Sequence, residues 1–287
     1  MTEDQRAAPT PAFNCLWCGR PHQPRTADDI EAHARLCPEC IGRAQDNEFL
    51  RFRLREGLRA RAEAARGDVA SDTAAMKAYY SARASEYDET YAGLGWEPLQ
   101  RAVFLADLDA ATLWLDRLPW RGEIVELAAG TGWWSPLLAQ KGELSLYDVS
   151  EDVLERARER LLAHGLRAHI HVRDAWAEPD RQVDGLFTGL WLSHVRQPRL
   201  GEFLALCRRW LRPGGLYALL DEAPGLDYTP TAGGVQQRRL KDGREFGIPK
   251  AYHAPADLER ALRDAGFSEV EVTITSRHFV LGRAAVA

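Results

Sequence analysis

From Glu123 onward, short apolar runs alternate with stretches in which apolar residues recur every three to four positions. This is the pattern of βαβ units. It commits the chain to a mainly parallel sheet, because each strand must be reached through a crossover helix. Strands are expected at residues 123–128, 143–149, 168–174, 183–192 and 216–221. Ser150-Glu151-Asp152 supplies a cap and an acidic first turn for a helix that should end near Gly165. Pro255 should open a later helix that stops at Gly266. Two final apolar runs, 270–275 and 279–286, lie too close together for a crossover and should form an antiparallel hairpin.

The first strand of the series runs into Glu126-Leu127-Ala128-Ala129-Gly130-Thr131-Gly132. Small residues at this point let a ligand approach the backbone at the carboxyl ends of the strands, where open α/β sheets bind their ligands. A dinucleotide site would use G-x-G-x-x-G, with a helix N-terminus facing a pyrophosphate. S-adenosylmethionine (SAM) has no phosphate. It presents an ammonium, a ribose and an adenine, so an acid on the first strand can face the ammonium while the glycines leave room.

The segment resembles motif I of the class I SAM-dependent methyltransferases. Asp148, 22 residues after Glu126 and followed by Val149, matches the family's ribose-binding acid, and Asp174-Ala175 matches the acid that contacts the adenine amino group. Leu211-Arg212-Pro213-Gly214-Gly215 is similar to the family's turn before the fifth strand, and Phe279-Val280-Leu281-Gly282-Arg283 to its reversed last strand. Tyr79-Tyr80 and Ala84-Ser85-Glu86-Tyr87-Asp88 resemble the helix that covers the cofactor in the ubiquinone and menaquinone biosynthesis type. The resemblance spans about residues 73–287. It implies a Rossmann-like seven-stranded mixed sheet with an antiparallel last strand. It also implies a SAM site at Tyr79, Tyr87, Glu126, Ala128, Gly130, Gly132, Asp148, Val149, Asp174 and Ala175. The sequence departs from the pattern at Ala128, where the turn usually has glycine. Read by themselves, Asp148 and Asp174 could equally be helix caps.

Methyl transfer from a sulfonium is an in-line displacement, so alignment and exclusion of water are the main requirements. In the family, the loop after the fourth strand lines the reacting centre. Here it reads Trp191-Leu192-Ser193-His194. His194 is the candidate general base, since imidazole titrates near neutrality, with helix capping or cofactor packing as the alternative role. Residues 224–253 form a long insertion in which Arg238 to Arg244 reads as a charged hairpin with an Asp-Gly turn. It brings Tyr252 and His253 into consideration as acceptor contacts. Trp133 and Trp134 could stack on a ligand, although aromatic residues at a helix start more often enter the core. Cys207 is expected to be a buried helix residue.

Ahead of this domain, Cys15-x-x-Cys18 and Cys37-x-x-Cys40 are 18 residues apart, the spacing of a four-cysteine zinc site. Gly19 gives the first knuckle a residue free to take positive φ. Incidental thiols, a redox pair, or a mixed site using His33 with Cys37 on a helix over 26–37 are the alternatives. Residues 1–40 are read as the zinc module, 41–72 as a connecting helix (41–66) and linker (67–72), and 73–287 as the methyltransferase domain. A small segment with few apolar residues needs metal to fold, so zinc is expected to be a structural staple or a dimer contact, with a homodimer through the module or helix left open.

Charge narrows the partners. The chain carries a net charge of -5, and residues 1–72 hold 11 basic against 12 acidic side chains, so nothing marks a phosphate backbone as partner. No run approaches the roughly 20 apolar residues of a membrane span, and Met1 to Pro11 lacks a secretory apolar core, which points to a cytoplasmic protein with reduced thiols. A small-molecule acceptor methylated on oxygen or nitrogen is the favoured expectation. RNA or protein methylation with zinc-mediated recognition, and a non-catalytic SAM-binding scaffold, are the alternatives.

Overall fold

The computed structural model describes residues 12–25, 29–93, 97–224 and 234–287. The chain divides into two compact units between Ser71 and Asp72. The 1–11 segment lies outside the described residues, as do Thr26 and most of the loop after Pro224.

In the first unit, β1 (Phe13–Asn14) pairs antiparallel with β2 (Pro21–His22), followed by α1 (Ile30–Ala34) and α2 (Pro38–Gly42). Its core is Cys15, Cys37 and Cys40 with Ala34, Leu36 and Leu50, all buried. The expected helix over 26–37 is only the five residues of α1, because Arg35 turns left-handed (φ 54°) and ends it before Cys37. The chain then makes a 3-10 turn at Ala44–Asp46 before α3 (Glu48–Arg83). This corrects two boundaries. The helix starts later than Ile41, and it runs straight through the expected linker at 67–72. That stretch has one glycine and no proline, and a single helical glycine costs only about 1 kcal/mol, which alanines on either side can offset.

The second unit holds α4 (Pro98–Asp116), β3 (Glu123–Leu127), α5 (Ser135–Ala139), β4 (Glu143–Asp148), α6 (Glu151–Ala163), β5 (His169–Val172), β6 (Val183–Gly189), α7 (Leu200–Arg209), β7 (Leu211–Glu222), β8 (Gly234–Arg239), β9 (Glu245–Lys250), α8 (Pro255–Asp264), β10 (Ser268–Ile274) and β11 (Phe279–Ala285). A seven-stranded sheet forms in the order β10-β11-β7-β6-β3-β4-β5, with β11 antiparallel to both neighbours and the other pairs parallel. This is the Rossmann-like mixed sheet that the motifs imply. β7 begins at Leu211 rather than Leu216, since the Gly214 turn (φ +80°) is absorbed as a bulge opposite Val183–Gly185.

One sheet face buries Leu186, Phe203, Leu206, Cys207 and Trp210 with α7 and α8. The other buries Ile124, Phe187, Leu138 and Leu154 with α4, α5 and α6. Strands covered on both faces are mainly apolar, as β3 is at Ile124, Val125 and Leu127, with Glu126 the buried exception. Cys207 has no solvent exposure, and burial pushes its thiol pKa up. The final hairpin is clamped from a distance by Asp107 of α4. Its Oδ1 accepts from the Ser276 N–H (2.9 Å) and hydroxyl (2.6 Å), and its Oδ2 from the Arg277 (2.8 Å) and His278 (2.7 Å) N–H groups and His278 Nδ1 (2.9 Å). Among the described residues, no helix is long and apolar enough to cross a membrane.

Candidate functional site

Strand order reverses at β3, which has β4 on one side and β6 on the other, and a cleft opens at the carboxyl ends of these strands. Its floor is the turn after β3. Ala128 (φ 52°), Gly130 (φ 54°) and Gly132 (φ 69°) are all left-handed, a conformation that is easy for glycine and costs alanine about 1 kcal/mol. A Cβ on Gly130 would meet nothing, so this glycine borders open space. One on Gly132 would stand 2.6 Å from the Ala157 Cβ, so this glycine instead lets the turn sit against α6.

Asp148 ends β4 and ties the floor together. Its Oδ2 accepts from the Gly130 N–H (3.0 Å) and its Oδ1 from the Ser150 N–H (3.0 Å). Burial raises its pKa, and these backbone N–H groups act in the opposite direction. Asp174 lies just beyond β5 and accepts the Trp176 N–H at 2.9 Å. Both acids line the cleft with Val149, Ala175, Ala128, Gly130, Tyr87 and His194. Tyr79, Glu126 and Gly132 do not line it. Glu126 lies buried beneath the turn, where it accepts the Ser135 hydroxyl at 2.6 Å, and burial pushes its carboxyl up to about 8.

A roof closes over the floor from the last turns of α3 and the 3-10 turn Tyr87–Thr90 that follows. Met76, Tyr80 and Tyr87 face the cleft, whereas Tyr79 packs with Met76, Leu240 and Ile248 under the β8–β9 hairpin. The roof is pinned to the floor by Asp88, which accepts the Thr131 hydroxyl at 2.8 Å and pairs with Arg160 of α6. A second link joins Ser81 Oγ to Ser150 Oγ at 2.6 Å.

His194 follows β6 in a 3-10 turn and is buried. Its Nδ1 is 2.9 Å from the Pro249 carbonyl, which can only accept, so Nδ1 carries the proton and donates. Nε2 therefore accepts, and the Tyr80 hydroxyl donates to it at 2.7 Å. Burial first, and then the charge of Lys250, hold the imidazole well below its ordinary pKa. Lys250 Nζ donates to Ser193 Oγ (2.9 Å) and Glu222 (3.2 Å). His194 is thus neutral near pH 7, and its only accepting nitrogen is occupied by Tyr80. The residue missing from the sequence reading is Tyr80: the Tyr79-Tyr80 pair was visible there, but which ring faces the cleft depends on the phase of α3.

The remaining candidates fall elsewhere. Tyr252 accepts from Gln236 (2.7 Å), and buried His253 bonds the Leu192 carbonyl (3.0 Å). Trp133 stacks on Tyr91, with ring centroids 4.2 Å apart, and Trp134 is buried.

In the first unit, one ligand atom from each of Cys15, Cys18, Cys37 and Cys40 lies within 4.8 Å of the others. Cys18 and Cys37 Sγ are 3.7 Å apart, and a tetrahedron with Zn–S bonds of about 2.3 Å has edges of about 3.8 Å. The Cys37 N–H points at Cys15 Sγ (3.4 Å), and Gly19 (φ +72°) returns its N–H to the Cys15 carbonyl (2.9 Å). Against the effect of burial, backbone N–H groups of Cys18, Cys37 and Trp17 lower Cys15 to about 6. The donor set and its spacing fit zinc.

Residues 124–215 match the family model described as a methyltransferase domain. The chain is 25% identical over 211 residues to N-demethylindolmycin N-methyltransferase of Streptomyces griseus, covering 67% of this chain and 87% of that protein. It is 30% identical over 106 residues to the ubiquinone/menaquinone biosynthesis C-methyltransferase UbiE of Azotobacter vinelandii, a match spanning 41% of that protein. Among solved structures, the DhpI–SAM–HEP complex is 30% identical with a TM-score of 0.59, covering 73% of this chain and 95% of that one.

Proposed function

The chain belongs to the class I SAM-dependent methyltransferases, and from that premise we propose that it methylates an oxygen or nitrogen of a small-molecule acceptor. The carrying observation is the roof of Met76, Tyr80 and Tyr87 over the strand ends, which leaves a confined cleft rather than an open basic groove. The likeness to an N-methyltransferase named for a small molecule supports the same reading.

In this reading Asp148 receives the ribose hydroxyls, Asp174 and Ala175 border the adenine, and Glu126 answers the ammonium from beneath the turn. SAM supplies an electrophilic methyl on a sulfonium. Tyr80 is the side chain that meets the acceptor. Because its proton is committed to His194 Nε2, its oxygen lone pairs are free to accept from an acceptor O–H or N–H, aligning it for in-line attack. The methyl leaves the sulfonium to give S-adenosylhomocysteine, and the acceptor's proton is released to solvent. His194 is a positioning residue in this scheme, since its lowered pKa makes it a weak base. Zinc held by the four cysteines stabilises the first unit, and their thiolate chemistry suits a reducing, cytoplasmic setting.

The test is Tyr80→Phe, assayed for methyl transfer and for SAM binding. Loss of one buried hydrogen bond, about 1 to 3 kcal/mol, should lower turnover about 5- to 150-fold with SAM affinity retained. Since His194 is already neutral there, wild-type turnover at saturating SAM should be flat between about pH 6.5 and 9. An ascending limb near neutrality that vanishes in His194→Ala would reinstate imidazole as the base.

A further inference from the structure

Beside the cofactor cleft, on the other side of Leu190, lies a second cavity of about 820 Å³. Leu190, whose backbone is left-handed (φ 55°), lines both. Four arginines face the second cavity: Arg83 from the end of α3, Arg238 and Arg239 from β8, and Arg277 from the turn before β11.

Arg83, Arg238 and Arg239 form no ion pair among the described residues. Arg83 lies with its Cζ 5.6 Å from the Tyr79 ring centroid and 5.0 Å from that of Tyr87, and it donates to Thr90 Oγ1 (2.6 Å) and to the Tyr79 hydroxyl, both neutral partners. Arg238 donates to the neutral Gln236 amide at 2.7 Å. The acids of the same cavity are already engaged. Glu222 takes Lys250, Glu89 takes Lys241, and Glu86 accepts the Lys241 N–H at 3.4 Å. Positive charge is therefore left over on Arg83, and Arg238 is answered only by the field of Glu222, which Lys250 already engages. A planar guanidinium wedged between two rings keeps its remaining N–H groups in a fixed fork, which is matched by the paired oxygens of an oxyanion. Tyr87 ties this fork to the reaction centre, because the ring that holds Arg83 also lines the cofactor cleft.

We propose that the second cavity receives an oxyanionic group of the methyl acceptor, a carboxylate or a tetrahedral phosphate-type group. Arg83 and Arg238 grip it while the accepting atom reaches past Leu190 to the cleft. This rests on the methyltransferase reading of that cleft.

The experiment titrates the full chain with S-adenosylhomocysteine (SAH), inorganic phosphate and acetate, each followed by calorimetry or chemical-shift change. Saturable binding of at least one anion is expected, weakened at least about tenfold in Arg83→Met and in Arg238→Gln, with SAH affinity unchanged. Arg83→Lys, which keeps the charge without the fork, should fall between wild type and Arg83→Met. Preference for phosphate over acetate identifies a tetrahedral group, and the reverse a carboxylate. Unaltered anion binding in the folded Arg83 and Arg238 variants, or none in a wild-type chain that binds SAH, overturns the proposal. Failure of wild type to bind SAH would instead overturn the reading of the cleft, with the anion titrations still deciding whether the arginines form a receptor.

Discussion

If Glu126 answers the SAM ammonium as proposed, the ionisation of this one buried group should set the affinity for the cofactor. Its carboxyl, enclosed under the glycine turn, is raised to about 8 with burial as the main cause, so at neutral pH the free protein holds it largely protonated. An ammonium favours the carboxylate, and binding SAM should therefore expel a proton. For an acid whose pKa is about 8, the ionised fraction is about 1% at pH 6 and 9% at pH 7, so the dissociation constant should fall about ninefold across that unit. Above about pH 8 the gain should stop, since an α-amino group has lost about half its own charge by then. Calorimetry in buffers of different ionisation heat should register about 0.9 proton released per SAM at pH 7. Glu126→Gln, a neutral isostere of the protonated form, should abolish both the proton release and the slope while leaving the fold intact. A wild-type affinity that is flat between pH 6 and 7 would refute the reasoning and leave Glu126 as a brace for Ser135 alone.

Three further outcomes follow from the same geometry. Asp148→Ala should weaken SAM binding by about 1.5 to 3 kcal/mol, roughly 10- to 150-fold, by removing acceptors for the ribose and for the Gly130 N–H; unchanged affinity in a folded variant would move the ribose elsewhere. Asp107→Ala should cost about 3 kcal/mol or more in a denaturant titration, because five donors lose one buried carboxylate. The hydrogen bonds to that carboxylate lower its folded pKa despite burial, so its contribution is present above about pH 4 and lost as pH falls below; equal acid sensitivity in the alanine variant would contradict this. Elemental analysis should find about one zinc per chain, and chelation should make the cluster thiols reactive and loosen the first unit; a metal-free chain of unchanged stability would remove zinc from the account.

Much of the catalytic domain was legible because its signals are local. Strand ends carry their acids within a residue or two of the apolar run, as Asp148 and Asp174 do, and the left-handed turn from Ala128 to Gly132 is written in small residues. What escaped depends on contacts far apart in the chain. Tyr79 and Tyr80 stand about 100° apart on the helix, and which one enters the cleft is decided by Leu240 and Ile248, some 160 residues later, drawing Tyr79 under the hairpin. Nothing near His194 in sequence announces that the Pro249 carbonyl will fix its tautomer. Asp107 reads as one more charged residue on α4 until residues 276–278 fold back onto it. The segment 67–72 looked like a linker because a glycine and short polar residues suit turns, yet flanking alanines carry the helix through it.

The enclosure of Cys207 gives the molecule an intrinsic clock. Its sulfur lies behind α7 with no solvent exposure, so an alkylating reagent gains access only in states where that helix has left the sheet. When reclosing outruns reaction, the labelling rate at Cys207 scales with the opening equilibrium, slowing about tenfold for each 1.4 kcal/mol that holds α7 down. The other four thiols sit in the separate cysteine cluster, with Cys18 exposed, and keep a different time. Peptide-resolved alkylation would thus read the breathing of the two units independently in one untouched chain, with ligand-induced slowing at Cys207 alone measuring how firmly the sheet closes.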